Sequence, residues 1–180
     1  KDISYTDKFN NSLKYKYLQI NSVAIYVPGS SASYPSSVLM NAIPAKVAGV
    51  KRIIMINPGY KGKQNPAVLY AAQKCKIKEI YSIGGPSAIA AAAYGTKKIA
   101  KVDKIVGPGN AFVVAAKKEV FGDVGIEGMT AGPSEVTIVC DSSSNPEWVA
   151  SDLIGQAEHD NLAQCILISK DKRIIKKVKI

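Results

Sequence analysis

The residues with the clearest capacity for chemistry are Gln156 and His159, within the sequence Gln-Ala-Glu-His-Asp at 156–160. His159 is the one histidine in the 180-residue sequence. The preceding segment predicts a helix, because Asn145 is a good N-cap, Pro146 suits the first helical position and apolar residues recur at helical spacing. Residues three apart on a helix project from one face, so the Gln156 amide oxygen and a His159 ring nitrogen could bind one divalent metal ion together.

Two interpretations of this pair stay open on spacing alone. Two ligands make half of a tetrahedral zinc site, and metal sites are recognised by full ligand sets. Alternatively, His159 is a histidine at a helix C-terminus, where it interacts favourably with the helix macrodipole. Without further information, the spacing favours this second, structural interpretation.

The elements that must position such residues follow an alternating pattern. From Val23 to Val106, short β-branched runs alternate with longer Ala-rich segments of helical periodicity. The predicted strands cover residues 23–27, 52–56, 79–83 and 104–106, and the helices cover 36–49, 65–75, an Ala-rich segment ending at 94, and 110–120. Strands and helices at this spacing predict βαβ units around a parallel sheet.

We therefore predict an α/β protein with a Rossmann-like parallel-sheet domain plus part of a second, similar α/β domain. Residues 1–25 are assigned to a partial segment of the first α/β domain, 26–133 to the Rossmann-like domain, and 134–180 to part of the second domain. The sequence does not begin with Met, and its last stretch has the pattern of a basic helix cut off in progress. We expect a fragment of a longer polypeptide.

Open α/β sheets bind ligands beyond the carboxyl ends of their strands, where this chain has loops rich in glycine and proline. The best phosphate-binding candidate is Gly107–Asn110, which follows a strand and precedes a helix whose free N–H groups attract anions. It lacks a GxGxxG or Walker pattern, and an ordinary helix-start turn explains it about equally well. The loop at 128–135 holds Ser134, which could hydrogen-bond a ligand or serve as a turn residue, and no nucleophile elbow accompanies it.

The net charge of +10 raises the possibility of nucleic-acid binding. The lysines are dispersed or concentrated at 170–179, without a basic stripe interleaved with aromatics, so we predict no nucleic-acid partner. No apolar run reaches membrane-spanning length and no signal-peptide order begins the chain, so we predict no membrane partner. Cys75, Cys140 and Cys165 form no CxxC pair, which is typical of small hydrophobes in a reduced compartment and favours a cytoplasmic location.

Taken together, these segments resemble the histidinol dehydrogenase family. The resemblance runs nearly continuously from Tyr26 to about Ser169, whereas residues 1–22 match loosely. It is carried by YVPG at 26–29, YPSSVLM at 34–40, PAKVAG at 44–49, VDKIVGPGN at 102–110, AGPSE at 131–135, SDL at 151–153 and QAEHD at 156–160.

The resemblance implies a homodimeric oxidoreductase of histidine biosynthesis that requires zinc and NAD. Its reaction is the oxidation of L-histidinol to L-histidine through the aldehyde, in two hydride transfers. By this similarity, Gln156 and His159 correspond to two zinc ligands that orient the substrate, and Ser134 to a serine that contacts it. The metal-ligand interpretation of His159 thereby replaces the structural one.

On the cofactor side, the resemblance implies that Tyr26, Ser87 and Asn110 occupy positions that contact NAD. Two departures from the family pattern fall here: Ser30 replaces a usual glycine, and Ser87 replaces a glutamine that contacts NAD in well-known members. Ser30 is expected to crowd the first nucleotide-side loop and Ser87 to shorten or remove a contact; alternatively, both replacements leave backbone and dipole binding intact.

The family's general base, a Glu-His pair, and two further zinc ligands, an Asp and a His, are expected downstream of Ile180. We therefore predict no catalytic residue in this chain and no turnover by the isolated fragment. An alternative from a different class is a stand-alone nucleotide-binding module without catalysis. A third, a basic nucleic-acid binder, would show an affinity that falls steeply with salt.

Overall fold

A computed structural model describes residues 2–29, 34–127, 135–158 and 163–178. The chain divides into two compact units, Lys1–Ala131 and Gly132–Ile180. The described elements of the first unit are β1 (Ile3–Thr6), β2 (Ser12–Tyr15), β3 (Ser22–Tyr26), α1 (Pro35–Val47), β4 (Arg52–Ile56), α2 (Pro66–Lys74), β5 (Glu79–Tyr81), α3 (Gly85–Tyr94), β6 (Lys104–Val106), α4 (Ala111–Glu119) and β7 (Gly125–Ile126). Those of the second unit are β8 (Glu135–Cys140), α5 (Pro146–Ala157), β9 (Gln164–Ser169) and α6 (Lys172–Val178).

The first unit is built around a five-stranded sheet in the order β5-β4-β3-β6-β7. Every neighbouring pair in it is parallel. The predicted α/β fold with a parallel sheet is thus confirmed. Chain order runs outward from β3 in both directions, so the sheet has its topological switch point between β3 and β6, where open α/β sheets bind ligands.

Helices cover both faces of this sheet, which explains the continuous apolar runs of its strands. Side chains alternate along β3, with Ala24 and Tyr26 in one core cluster and Val23, Ile25 and Val27 in the other. The first cluster contains residues of α3 and α4, and the second contains residues of α1 and α2. The sheet is therefore held between two apolar layers, and β3 is buried on both sides.

An antiparallel hairpin of β1 and β2 precedes the sheet and was not predicted. The Asp7 carboxylate shapes its turn by accepting hydrogen bonds from the Phe9 and Asn11 backbone N–H groups, at 2.8 and 2.9 Å. All eight strand residues are exposed, so no burial pattern marks them in the sequence.

The second unit contains a parallel pair of strands, β8 and β9, with α5 and α6 packed against them. Its core consists of Val149, Leu153, Ile174 and Val178, with Val136 and Leu167 against it. Its elements follow the order β-α-β-α, and α5 begins after Asn145 as predicted. Among the described helices of the chain, none combines the length and apolar character that a membrane span requires.

Candidate functional site

Tyr26 stands at the carboxyl end of β3, and its side chain links that strand to α3. The residue is 4% exposed. Its hydroxyl oxygen accepts a hydrogen bond from the Gly85 backbone N–H at 3.2 Å. Gly84, the N-cap of α3, has no side chain with which to cap the helix, so the Tyr26 hydroxyl satisfies an N–H group that the helix start leaves without a partner. No described residue accepts the hydroxyl proton.

Ser87 lies in the first turn of α3, close to the same helix start. The residue is exposed, and its hydroxyl donates to the Gly84 carbonyl oxygen at 3.3 Å. Gly85 has a φ of +70°, and no atom lies within 4 Å of where its Cβ would stand. The structure thus brings Tyr26 and Ser87 to one helix N-terminus that has open space beside it.

The loop after β6 packs against the backbone of Tyr26. Gly107 has a φ of +103°, and a Cβ at this position would collide with the Tyr26 carbonyl oxygen. A side chain is therefore excluded here by both backbone conformation and space. The close approach places the beginning of the Gly107–Asn110 loop beside the end of β3, at the switch point of the sheet.

Asn110 ends that loop as the N-cap of α4. Its Oδ1 accepts a hydrogen bond from the Val113 N–H at 3.1 Å, which leaves the Nδ2 group of this exposed residue free of described partners. The first N–H groups of a helix have no intrahelical acceptor. Asn110 and the start of α4 therefore present several N–H donors together, an arrangement suited to a phosphate oxygen.

Asn57 is a buried polar residue at this edge that sequence analysis missed. It is 2% exposed. Its Nδ2 donates to the Val27 and Pro28 carbonyl oxygens at 2.8 and 3.3 Å, and its Oδ1 accepts from the Gly59 N–H at 3.2 Å. The side chain therefore fixes the path of the chain as it leaves β3. Its position in an Asn-Pro-Gly turn directly after a buried strand is the signal that could have found it.

Lys117 is the second buried polar residue that sequence analysis missed. It is 2% exposed and its Nζ donates to the Gly107 carbonyl oxygen at 2.5 Å. Burial lowers the pKa of its ammonium group. The sequence signal that could have found Lys117 is its position, because helical spacing predicts an apolar residue there. Val113, Lys117 and Val120 form one buried stripe at that spacing.

Gln156 lies in the last turn of α5 and is half-buried. Its partner in the predicted zinc pair, His159, lies outside the described residues, as do Ser134 and Ser30. Within the described parts of the chain, no group of three or more His, Cys, Asp or Glu residues could hold a metal ion. Gln156 thus offers one amide oxygen, and the described residues do not form a complete zinc site.

The strand order, the two helix layers and the loops at the switch point define an α/β protein of the Rossmann-like class. The sequence model of the family described as histidinol dehydrogenase matches residues 1–180. The chain belongs to the histidinol dehydrogenase family, as its resemblance to that family predicted.

Individual relatives agree with this assignment. The chain is 85% identical over 178 residues to histidinol dehydrogenase of Pelagibacter ubique, which covers 99% of this chain and 42% of the relative. It is 54% identical over 174 residues to histidinol dehydrogenase of Nitrosomonas europaea, covering 97% of this chain and 40% of the relative. The chain therefore spans about two fifths of the length of these curated relatives.

A solved structure shows that the fold is shared as well. The crystal structure of histidinol dehydrogenase from Elizabethkingia anophelis superimposes with a TM-score of 0.84 at 46% sequence identity. The match covers 89% of this chain and 37% of that chain.

Proposed function

We propose that this chain supplies the NAD-binding part, and a portion of the zinc and substrate site, of an enzyme that oxidises L-histidinol to L-histidine. The observation that carries the proposal is the convergence of Tyr26, Ser87 and Asn110 at the carboxyl edge of the sheet in a member of this family. Each residue lies at the end of β3 or at a helix N-terminus, where a dinucleotide is expected in an open α/β sheet.

In this proposal the cofactor is held by neutral donors and helix N-termini. Asn110 directs its free Nδ2 group, together with the first N–H groups of α4, at the pyrophosphate. Tyr26 donates its hydroxyl proton to the cofactor while accepting from Gly85. The Ser87 side chain is shorter than the glutamine that contacts NAD in well-known members of the family. Its hydroxyl therefore reaches less far toward NAD, or does not contact it.

The substrate side is proposed to use Ser134, Gln156 and His159. Zinc, when bound, orients the amine and imidazole of histidinol. Gln156 and His159 would supply two of its ligands, and metal affinity in this chain alone would be weak because a closed site needs four. The other two ligands and the Glu-His base are assigned to the part of the relatives that this chain does not span.

The proposed reaction transfers two hydrides. In the first step, the carbinol carbon of histidinol would give a hydride to NAD⁺ while the hydroxyl group gives its proton to the base, which would yield the aldehyde. Water would then add to the aldehyde carbon. The resulting hydrate would give a second hydride to a second NAD⁺ and release two protons as it becomes the carboxylate of histidine. We also propose a homodimeric, cytoplasmic enzyme; the three cysteines are free, which agrees with a reducing compartment.

Calorimetric titration of the metal-free 180-residue chain with NAD⁺ tests the cofactor assignment. We expect saturable binding that weakens by about tenfold in Asn110→Ala, the loss of one good hydrogen-bonding group to a charged ligand. The Asn110→Asp variant is the matched control, because it keeps the helix cap but directs a negative charge at the pyrophosphate. It should weaken binding even further.

The same preparation, supplied with zinc, L-histidinol and NAD⁺, should produce no NADH. Turnover would contradict the assignment of the base to another part of the enzyme. Absence of NAD⁺ binding would remove the cofactor assignment itself. NAD⁺ binding by a polypeptide whose reading frame stops at Ile180 would favour a nucleotide-binding module without catalysis.

A further inference from the structure

Lys117 is an unexpected residue at its position in α4. It lies in the buried stripe between Val113 and Val120, where an apolar residue would pack without the cost of removing a charge from water. Burial lowers the pKa of the ammonium, and the negative charge of Glu127 opposes this lowering. No described carboxylate forms an ion pair with it. Because burying an ammonium group without such a partner costs free energy, we expect the hydrogen bond that it does make to have a role.

Among the described residues, the acceptor of the Lys117 ammonium lies in the loop that precedes its own helix. Lys117 donates to the Gly107 carbonyl oxygen, ten residues earlier in the chain. The bond therefore spans the first two turns of α4 and returns to the end of β6. An ammonium group donates a charge-assisted hydrogen bond, which is stronger than one between neutral groups.

Three contacts together fix the Gly107–Asn110 loop. The Gly107 backbone lies against Tyr26, the Gly107 carbonyl is held by Lys117, and the Asn110 side chain is held by the Val113 N–H. Two of the three act at Gly107. The loop has Pro108 next in sequence, whose fixed φ carries the orientation of Gly107 forward toward Asn110.

We propose that Lys117 is a positioning residue for NAD: it sets the orientation of the Gly107–Asn110 loop and places a buried positive charge behind it. This inference rests on the proposed binding of NAD at the carboxyl edge of the sheet. The ammonium does not touch the cofactor. It holds the loop that does, and its charge, little screened because it is buried, favours the pyrophosphate at the start of α4.

Lys117→Met tests the proposal, with Lys118→Met as its matched control. Both variants lose one positive charge from the same helix, but Lys118 is exposed and Lys117 is buried. We expect the dissociation constant for NAD⁺ to rise about tenfold or more in Lys117→Met, as for loss of a charge-assisted contact, and less than about twofold in Lys118→Met. The thermal midpoint of Lys117→Met should stay close to that of the parent chain, because methionine removes the cost of a buried charge while the Gly107 carbonyl oxygen loses its hydrogen-bond donor.

A second measurement needs no cofactor. Amide hydrogen exchange at residues 109–113 should speed up in Lys117→Met and stay unchanged in Lys118→Met, because the loop loses one of its fixed points. If Lys117→Met fails to fold, Lys117→Gln replaces it; the glutamine keeps an N–H donor but is shorter and uncharged, and it should weaken NAD⁺ binding in the same direction.

The outcomes separate this inference from the proposed function. Unchanged NAD⁺ affinity and unchanged exchange in a folded Lys117→Met chain overturn the positioning role. If neither Lys117→Met nor Lys117→Gln folds, the positioning role is also overturned, because Lys117 would then be required for folding. If the parent chain binds no NAD⁺, the proposed function fails and the cofactor role falls with it, while the exchange experiment still decides whether Lys117 holds the loop.

Discussion

At the scale of single residues, the Tyr26 hydroxyl connects β3 to the start of α3 at the candidate site. It accepts from the Gly85 N–H, and no described residue accepts its own proton. A phenol is suited to this double use, because one oxygen both accepts and donates. The residue therefore couples the stability of the start of α3 to recognition at the same edge.

The substitution Tyr26→Phe should reduce both the stability of the chain and its affinity for NAD⁺. The Gly85 N–H loses its acceptor at a partly buried position, so we expect unfolding to become easier by about 1 kcal/mol. The affinity for NAD⁺ should fall as well, because the donated proton is gone. Urea unfolding and NAD⁺ titration measure the two effects, and Tyr70→Phe, at an exposed tyrosine on α2, is the control. Parent-like values in both assays would show that the hydroxyl is dispensable.

At the residue scale, the sequence located some polar residues of this edge and missed others, for a physical reason. Tyr26, Ser87 and Asn110 were assigned from resemblance, and the structure places them at the carboxyl edge; their contacts with NAD stay predictions. Asn57 and Lys117 were missed, because burial of a polar side chain depends on tertiary packing that local sequence patterns do not encode.

At the scale of elements, helix starts were predicted well because their chemistry is local. Asn65, Asn110 and Asn145 each accept a backbone N–H at the start of a helix. Strand ends were less predictable. β5 ends at Tyr81 rather than continuing to residue 83, since its last partner in register is Ile56, where β4 itself ends. A strand stops where its neighbour stops, which a single segment does not reveal.

The N-cap of α2 allows a quantitative check. Asn65 Oδ1 accepts from the Ala67 N–H at 2.9 Å, so Asn65→Ala should destabilise the chain by about 1 kcal/mol. Asn65→Asp keeps the acceptor and adds a negative charge at the positive end of the helix dipole, and it should match or exceed the parent. Thermal melts followed by circular dichroism would measure both. Equal melting temperatures for the alanine and aspartate variants would contradict the assigned role.

At the scale of the whole molecule, the described structure distributes polar groups differently between the two edges of the five-stranded sheet. The carboxyl edge has the neutral residues Tyr26, Asn57 and Asn110, with the Lys117 ammonium behind them on the Gly107 carbonyl oxygen. The amino edge has the Arg52–Glu79 ion pair, 2.7 Å between Nη2 and Oε2. At the same amino edge, the Asp103 carboxylate accepts hydrogen bonds from the Ser22 backbone N–H and from the Ser22 hydroxyl, at 2.7 and 2.8 Å.

This distribution predicts how stability depends on pH. Hydrogen bonding from Arg52 lowers the pKa of Glu79, and hydrogen bonding from Ser22 lowers that of Asp103. A carboxyl group with a lowered folded-state pKa contributes stability above its unfolded pKa and loses it as pH falls through the folded value. Urea midpoints should therefore decrease from pH 6 toward pH 3, over the range near and below the ordinary carboxyl values of about 4.

Glu79→Gln should reduce this pH dependence, because it removes one of the two titrating groups that connect separate strands. Glu119→Gln, at an exposed position on α4, is the control for loss of a carboxylate. Both variants need unfolding curves at several pH values. A Glu79→Gln curve that falls with pH as steeply as the parent would show that other carboxylates set the acid response.

The central position of β3 also has a consequence for the order in which the sheet assembles. Val23 pairs with Ile53, 30 residues away, on one side and with Lys104, 81 residues away, on the other. Closing the longer loop costs about 0.9 kcal/mol more entropy than closing the shorter one. The candidate site lies between β3 and β6, the pair with the longer closure, so on loop entropy alone this edge of the sheet forms after β3 and β4 have already joined.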